Sequence, residues 1–294
     1  MNRKTIILGF DMETDIGSWT MGDKGLTKGG PEILRILRNH KIQATFFFTG
    51  REAQNHPKLV RQIRAAGHEI GCHTMFHETI GNAVFDMPGA NFVLPDEVPG
   101  RLELATRAVQ QIAGIRPVSF RAPRLFGSTE MIRILEDLGY LADSSFPCYF
   151  HGRDFRPYHP SAKDWSKPGK MRILEIPVFY DTEGSQGGTR HRGRDQWPML
   201  RLKGGPWFAH LCRRMMPKAR NHDGDAVLCV YLHPWEFVTM PRTIRTDEAT
   251  ITFNTFLHKN CGRTHLNALD AFIEAMIADG VRFTTMQQFA REYE

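Results

Sequence analysis

Short apolar runs alternate with amphipathic helical stretches along most of this chain. Runs that read as strands are Thr5–Phe10, Gln43–Thr49, Glu69–His73, Val118–Arg121, Tyr140–Ser144, Ile173–Phe179, Ala226–His233 and Val281–Thr285. Between them, apolar positions recur at helical spacing over Pro31–His40, Pro57–Ala66, Glu97–Ala113, Thr129–Leu138 and His265–Asp279. Gly67, Gly114, Gly139 and Gly280 each stand where a helical run stops and a strand begins, the usual place of a C-terminal cap. This alternation predicts a parallel sheet or an α/β barrel. The rhythm breaks over about 145–224, a stretch rich in Pro, Gly, Arg and Trp. It reads as an insertion or long loops around one strand, Ile173–Phe179. No repeat or low-complexity linker divides the chain, so 1–294 reads as a single domain.

Several apolar runs end in ionisable or polar groups. ILGF runs into Asp11 and Glu13, EIGC into His73, VSF into Arg121, LEIPVF into Tyr180 and Asp181, and VLCVYL into His233. In parallel α/β architectures the strand C-termini share one face, and active sites are assembled there from several strands. Packing a core does not call for acid, imidazole and guanidinium at that edge. A site of carboxylates, histidines and one arginine is therefore expected.

Composition narrows the classes. Of the 294 residues, 41% are hydrophobic and 24% charged, which excludes a disordered chain or a fibre. No apolar run approaches the roughly 18 residues of a membrane span. The opening MNRKTIILGFDMETD has a short apolar run and no small-residue cleavage site, so it reads as a first strand rather than a signal peptide. Cys72, Cys148, Cys212, Cys229 and Cys261 form no CxxC pair. That argues for a reducing, cytoplasmic setting and against a disulfide framework or a four-cysteine zinc site. The net charge of +6 suits an anionic substrate or a lipid surface. No nucleic-acid-binding signature accompanies it, so nucleic acid is set aside.

The sharpest local motif is His73-Thr74-Met75-Phe76-His77. Two imidazoles four residues apart meet on one helical face or across one turn, a spacing that suits a divalent metal and also arises between unrelated histidines. Asp11, Glu13 and Asp15 project to one side of an extended chain. Like charges so close call for a cation or an arginine, or else belong to a solvated loop. Arg121 in FRAPR can orient a carboxylate, and His233 in VYLHP can serve as a general acid. A structural ion pair and a core histidine are the plainer readings of the same two residues.

Taken in order, FDMETD, ATFFFTG, GHEIGCHTMFHE, FRAPR and VYLHP make the chain from Lys4 to about Pro234 resemble the polysaccharide deacetylase family, carbohydrate esterase family 4 with its NodB-homology domain. The resemblance implies a distorted (β/α) barrel of about seven strands. It also implies a metal-dependent hydrolase that removes an acyl group from an amide, typically an N-acetylated sugar. Carried over residue by residue, it makes Asp11 the catalytic base and Arg121 the holder of its carboxylate. His73 and His77 match two metal ligands, and His233 matches the proton donor to the leaving amine. Many members have adjacent aspartates after the first strand, whereas here Met12 separates Asp11 from Glu13. Glu13 is the expected third ligand and Asp15 the fallback. An acid tuning His233 is expected at Asp143 or Glu175. Pro123, Trp235 and Tyr180, neighbours of these groups, are expected to contact substrate. Zinc is the expected metal, and cobalt, nickel or iron also suit such a site.

Relatives in the family include enzymes for lipid- or nucleotide-linked sugars in envelope biosynthesis, and DMETDIGSW resembles the acid-x-acid opening of one such branch, which removes a formyl group from an aminoarabinose lipid carrier. An N-acetyl or N-formyl amino sugar is the expected substrate. The alternative within the family is a cyclic amide, as for allantoinase-like and imidase-like members. A glycan-binding barrel without catalysis is expected to lack one of Asp11, His73, His77 and His233, and all four are present. Trp197–Arg220 mixes tryptophan, leucine and methionine with six basic residues. It is expected either to touch a membrane surface or to form a basic surface helix that packs its apolar side on the barrel. Gly184–Arg194, rich in Gly and Arg, is expected at the rim of the site.

Overall fold

The structure, a computed structural model, describes residues 3–84, 92–152, 154–184, 194–245 and 247–293. Its frame is a parallel sheet of β1 (Lys4–Met12), β2 (Thr45–Phe48), β3 (Glu69–Cys72), β4 (Ser119–Phe120), β5 (Ala142–Asp143), β6 (Leu174–Glu175) and β7 (Ala226–Leu232), in the order β7-β1-β2-β3-β4-β5-β6. A hairpin of β8 (Thr243–Arg245) and β9 (Thr250–Thr252) lies apart from it. The last strand, β10 (Arg282–Thr284), pairs with Thr5, Ile6 and Ile7 of β1, on the edge that β2 takes over from Gly9 onward. Beyond β6, Val178 bridges Cys229 of β7 in parallel, with the Phe179 N–H donating to the Cys229 carbonyl at 3.2 Å. The sheet thus curls until its two edges meet, as the barrel expectation requires.

Every strand expected from the apolar runs is present, most of them shorter than the run itself. The β2 sequence TFFF is buried on both faces, as a parallel strand covered by helices outside and core inside must be. Burying each such phenylalanine contributes on the order of 2–3 kcal/mol, which outweighs the strand's modest length. Helices Gly30–Asn39, Pro57–Ala65, Val98–Ala113, Thr129–Asp137 and Arg263–Ala278 fall where the period predicts them.

The stretch read as loops carries three further α-helices among the described residues, the short Cys148–His151, Met199–Lys203 and Gly205–Met215. Leu200, Phe208, Leu211, Met215 and Met216 are buried, and Gly205–Met215 packs on Arg263–Ala278. The apolar side chains behind the membrane-surface expectation thus face the protein. Four of the six basic ones are engaged with acids: Arg201 with Glu236, Arg213 with Asp279, Arg214 with Asp181, Lys218 with Glu183. Within Gly184–Arg194, residues 185–193 lie outside the described residues. Among the described residues no helix is long and apolar enough to cross a membrane.

Candidate active site

The C-terminal ends of β1, β3, β4 and β7 bring their ionisable groups to one place. Arg121 follows β4 and turns inward, fully buried. Its Nη1 donates to Asp11 Oδ1 at 2.8 Å, its Nε to the Ser144 carbonyl at 3.3 Å and its Nη2 to Ser144 Oγ at 3.2 Å. The guanidinium sits 4.4 Å from the Phe47 ring centroid. Gly9 makes the room: a Cβ there would stand 2.5 Å from Nη1. A buried guanidinium is costly alone, and the Asp11 carboxylate supplies its counter-charge.

His73 follows β3. Its Nδ1 lies 2.6 Å from the Arg121 carbonyl oxygen. A carbonyl only accepts, so Nδ1 carries the proton and Nε2 keeps its lone pair. His73 Nε2 is 3.6 Å from Glu13 Oε2, and His77 Nε2 pairs with the same oxygen. One ligand atom from each of Glu13, His73 and His77 lies within 4.8 Å of the others, and all three residues are buried. Burial alone would push Glu13 up, but His77, His73 and His233 hold it well below the ordinary carboxylate range. Burial pushes His77 down, toward its neutral form. The result is one carboxylate and two imidazoles offering lone pairs. Glu13 Oε1 and His77 Nδ1 are buried without a hydrogen-bond partner among the described residues. An orphaned carboxylate oxygen beside two imidazole lone pairs fits a divalent cation, and this nitrogen–oxygen set suits zinc, iron, cobalt or nickel.

Asp15, the fallback ligand, is employed elsewhere. Its carboxylate accepts the backbone N–H groups of Lys24 at 3.0 Å and Gly25 at 2.8 Å, at the start of the helical segment Gly25–Gly29. A carboxylate in that position offsets the exposed amides of a helix N-terminus.

His233 stands at the end of β7 with Nε2 4.0 Å from Glu13 Oε1. Its Nδ1 lies 3.0 Å from Oε1 of Glu236, which also accepts Trp197 Nε1–H at 2.8 Å. Glu236 Oε2 accepts from Arg201 Nε at 2.8 Å. Burial would lower His233, yet Glu236, with Glu13 and Asp11, holds it above the ordinary histidine value, so the imidazolium is favoured. Glu236 thus occupies the place expected of Asp143 or Glu175. Those two are register partners on β5 and β6, fully buried. Burial and the neighbouring Asp143 push Glu175 well above the usual carboxylate range, so the pair retains a proton. The missed signal was the capping box: Glu236 is the third residue after His233 and accepts its backbone N–H at 3.1 Å.

The residues expected to touch substrate are placed otherwise. Trp235 is 1% exposed and stacks on His233 with centroids 5.5 Å apart, so it backs the imidazole. Gly25 lets a turn press on it, since a Cβ there would meet Trp235 N at 2.4 Å. Pro123 is buried at the start of the turn Pro123–Leu125. Tyr180 packs edge-on to Phe155 and bridges Asp195, without a contact to the Glu13–His73–His77 cluster among the described residues. Arg124, bonded to the His77 carbonyl, and the half-exposed Trp19 stand beside the cluster instead.

Among the described residues, eight other than glycine adopt positive φ. Six of them, Ile16, Ser18, Thr74, His77, Arg124 and Leu125, belong to the loops after β1, β3 and β4. Such backbone costs energy and gathers where geometry is dictated by function.

Comparison with known proteins places this geometry among others. A family model described as polysaccharide deacetylase matches residues 1–142. The chain is 27% identical over 148 residues to a peptidoglycan-N-acetylglucosamine deacetylase of Bacillus cereus, a match covering 50% of this chain and 59% of that protein. It is 34% identical over 183 residues to a chitooligosaccharide deacetylase of Azorhizobium caulinodans, covering 59% of this chain and 82% of the relative. In fold it is similar to a probable polysaccharide deacetylase from Pseudomonas aeruginosa PAO1, with a TM-score of 0.64 at 16% identity over 98% of this chain and 90% of that one.

Proposed function

The chain belongs to the polysaccharide deacetylase family, and from that membership we propose that it is a metal-dependent amide hydrolase that removes an acetyl or formyl group from an N-acylated amino sugar. The observation that carries this reading is the cluster of Glu13, His73 and His77, with the Asp11–Arg121 pair following from the same strand ends and His233 4.0 Å from Glu13. The sugar is free, nucleotide-linked or lipid-linked, and the setting is cytoplasmic.

Glu13, His73 and His77 would hold the metal. When bound, a divalent ion supplies Lewis-acid polarisation of the amide carbonyl and makes a water easier to deprotonate. Asp11, held and oriented by Arg121, accepts the proton of the attacking water. Attack on the carbonyl carbon gives a tetrahedral adduct bearing negative charge. His233, held in its charged form by Glu236, gives its proton to the departing nitrogen as the C–N bond breaks. The products are a carboxylic acid and a free amine. The base and the acid are different residues, each with a fixed buried partner, so each is set for its own half of the reaction.

The test is direct. Protein of known metal content is offered N-acetyl and N-formyl amino sugars, free and linked, together with cyclic amides. Released acetate or formate is measured. Turnover confined to cyclic amides, or none with the metal in place, would overturn the assignment.

A further inference from the structure

Arg124 is the one half-buried arginine beside the metal cluster that, among the described residues, makes no ion pair. The contrast with its neighbours is specific. Arg121 faces Asp11 and Arg201 faces Glu236, each at 2.8 Å, and Arg214 pairs with Asp181. Arg124 has one hydrogen bond, from Nη1 to the His77 carbonyl at 3.3 Å, which ties it to a cluster residue and leaves most of its donors unused. Its guanidinium carbon lies 5.9 Å from the Trp19 ring. An aromatic wall steadies a guanidinium without occupying the N–H groups in its plane, so the fork stays available.

Both residues are delivered by backbone that resists them. Arg124 sits at φ +60°, and the chain reaches Trp19 through Ile16, Gly17 and Ser18 at +58°, +67° and +60°. A Cβ at Gly17 would lie 3.6 Å from the Trp19 ring and 3.9 Å from Glu13 Oε1, so the indole is close to the carboxylate of the cluster. A planar donor fork kept partly from water and lacking its own carboxylate is built for an oxyanion from outside the chain.

We propose that Arg124 and Trp19 form an anion subsite of the catalytic opening, so that the preferred N-acyl sugar carries a negatively charged phosphate or carboxylate close to its scissile amide. This deepens the amide-hydrolase reading and rests on it. A guanidinium fork holds either oxyanion bidentately, and the ring of the sugar then lies against the exposed part of the indole.

Binding and turnover of three probes decide it: methyl N-acetylglucosaminide, N-acetylglucosamine 1-phosphate and N-acetylmuramic acid. The neutral probe is the reference, and the other two separate a phosphate source from a carboxylate source. Wild-type, metal-loaded protein is expected to prefer at least one charged probe by about 10-fold or more, with the preference shrinking as salt rises. In Arg124→Gln the ratio is expected to fall toward one, and Arg124→Lys is expected to retain part of it. A wild-type ratio near one overturns the subsite alone while leaving the hydrolase reading intact. A ratio kept in Arg124→Gln also overturns it, because the anion is then held by something else. If Arg124→Gln fails to fold, Arg124→Lys decides the matter, and an undiminished ratio there overturns the subsite. If none of the three probes nor any other N-acyl sugar binds or turns over, the hydrolase reading fails and takes the subsite with it.

Discussion

Glu236 lies three residues beyond His233 and holds its Nδ1 at 3.0 Å, while the other carboxylate oxygen is fixed by Arg201. The His233 imidazole is therefore oriented by its own turn, not by a distant strand. Glu236→Gln is expected to lower kcat about 10- to 100-fold with KM little changed, because proton donation matters in the transition state. The loss should shrink for an activated anilide, whose leaving group needs no proton. Equal losses for both substrates would assign Glu236 a purely structural role.

Asp11→Asn should abolish turnover and leave metal content near that of the wild type, since the proposed mechanism gives the base and ligand roles to separate residues. Metal stoichiometry measured beside activity distinguishes the cases. Loss of metal in step with activity would mean that Asp11 and Glu13 have been exchanged.

Gly9→Ala adds one methyl where Arg121 now sits. Expelling the guanidinium should destabilise the fold by about 1–3 kcal/mol. It should also cut kcat severely, because Asp11 loses its partner. Denaturant titration and kinetics on one preparation check both, and wild-type values would show that Arg121 can shift without consequence.

Chelation should lower Tm and remove activity, and added zinc should restore both. A ligand present at a thousand times its Kd stabilises by about 4 kcal/mol. A Tm indifferent to chelation, in protein shown to have lost its metal, would contradict the cluster's assignment.

Stability should fall on the acid side of neutrality. Burial pushes both His68 and His265 down to about 4, and neither ring nitrogen of His265 has a hydrogen-bond partner among the described residues. Both are neutral in the fold but take up protons near 6.5 when unfolded. Their contribution is complete above about pH 6.5 and is lost as pH falls through the window down to about 4. At pH 5 the loss is on the order of 2 kcal/mol per histidine. His265→Phe, which can keep the stacking on Phe237, should flatten the difference between denaturation at pH 7.5 and pH 5.

Much of the frame was legible because parallel strands are buried on both faces and so leave unbroken apolar runs such as TFFF. The strand-end groups were legible for the same reason: Asp11, His73, Arg121 and His233 interrupt apolar text. Glu236 escaped because its link to His233 is a local turn, not a strand end. Helix Gly205–Met215 lies within Trp197–Arg220, where a helix packed on the barrel is one of the two expectations; the Gly-Gly-Pro at its start hid its bounds, although Phe208, Leu211, Cys212 and Met215 carry its period. The hairpin Thr243–Arg245 and Thr250–Thr252 has little buried surface and so left no apolar pattern. Trp235 was read as a substrate wall from its position beside His233, but sequence adjacency does not distinguish a stacked, buried ring from an open one.

The left-handed residues of the three loops around the cluster have a consequence for descent. Each such position costs on the order of 1–3 kcal/mol, and relief is available by single substitutions to glycine. Stability therefore rises along paths that erase this opening, and it is turnover, under selection, that opposes them. A lineage released from the need to hydrolyse anything would drift toward a sturdier, silent barrel, with the loops the first part of the molecule to forget its ancestry.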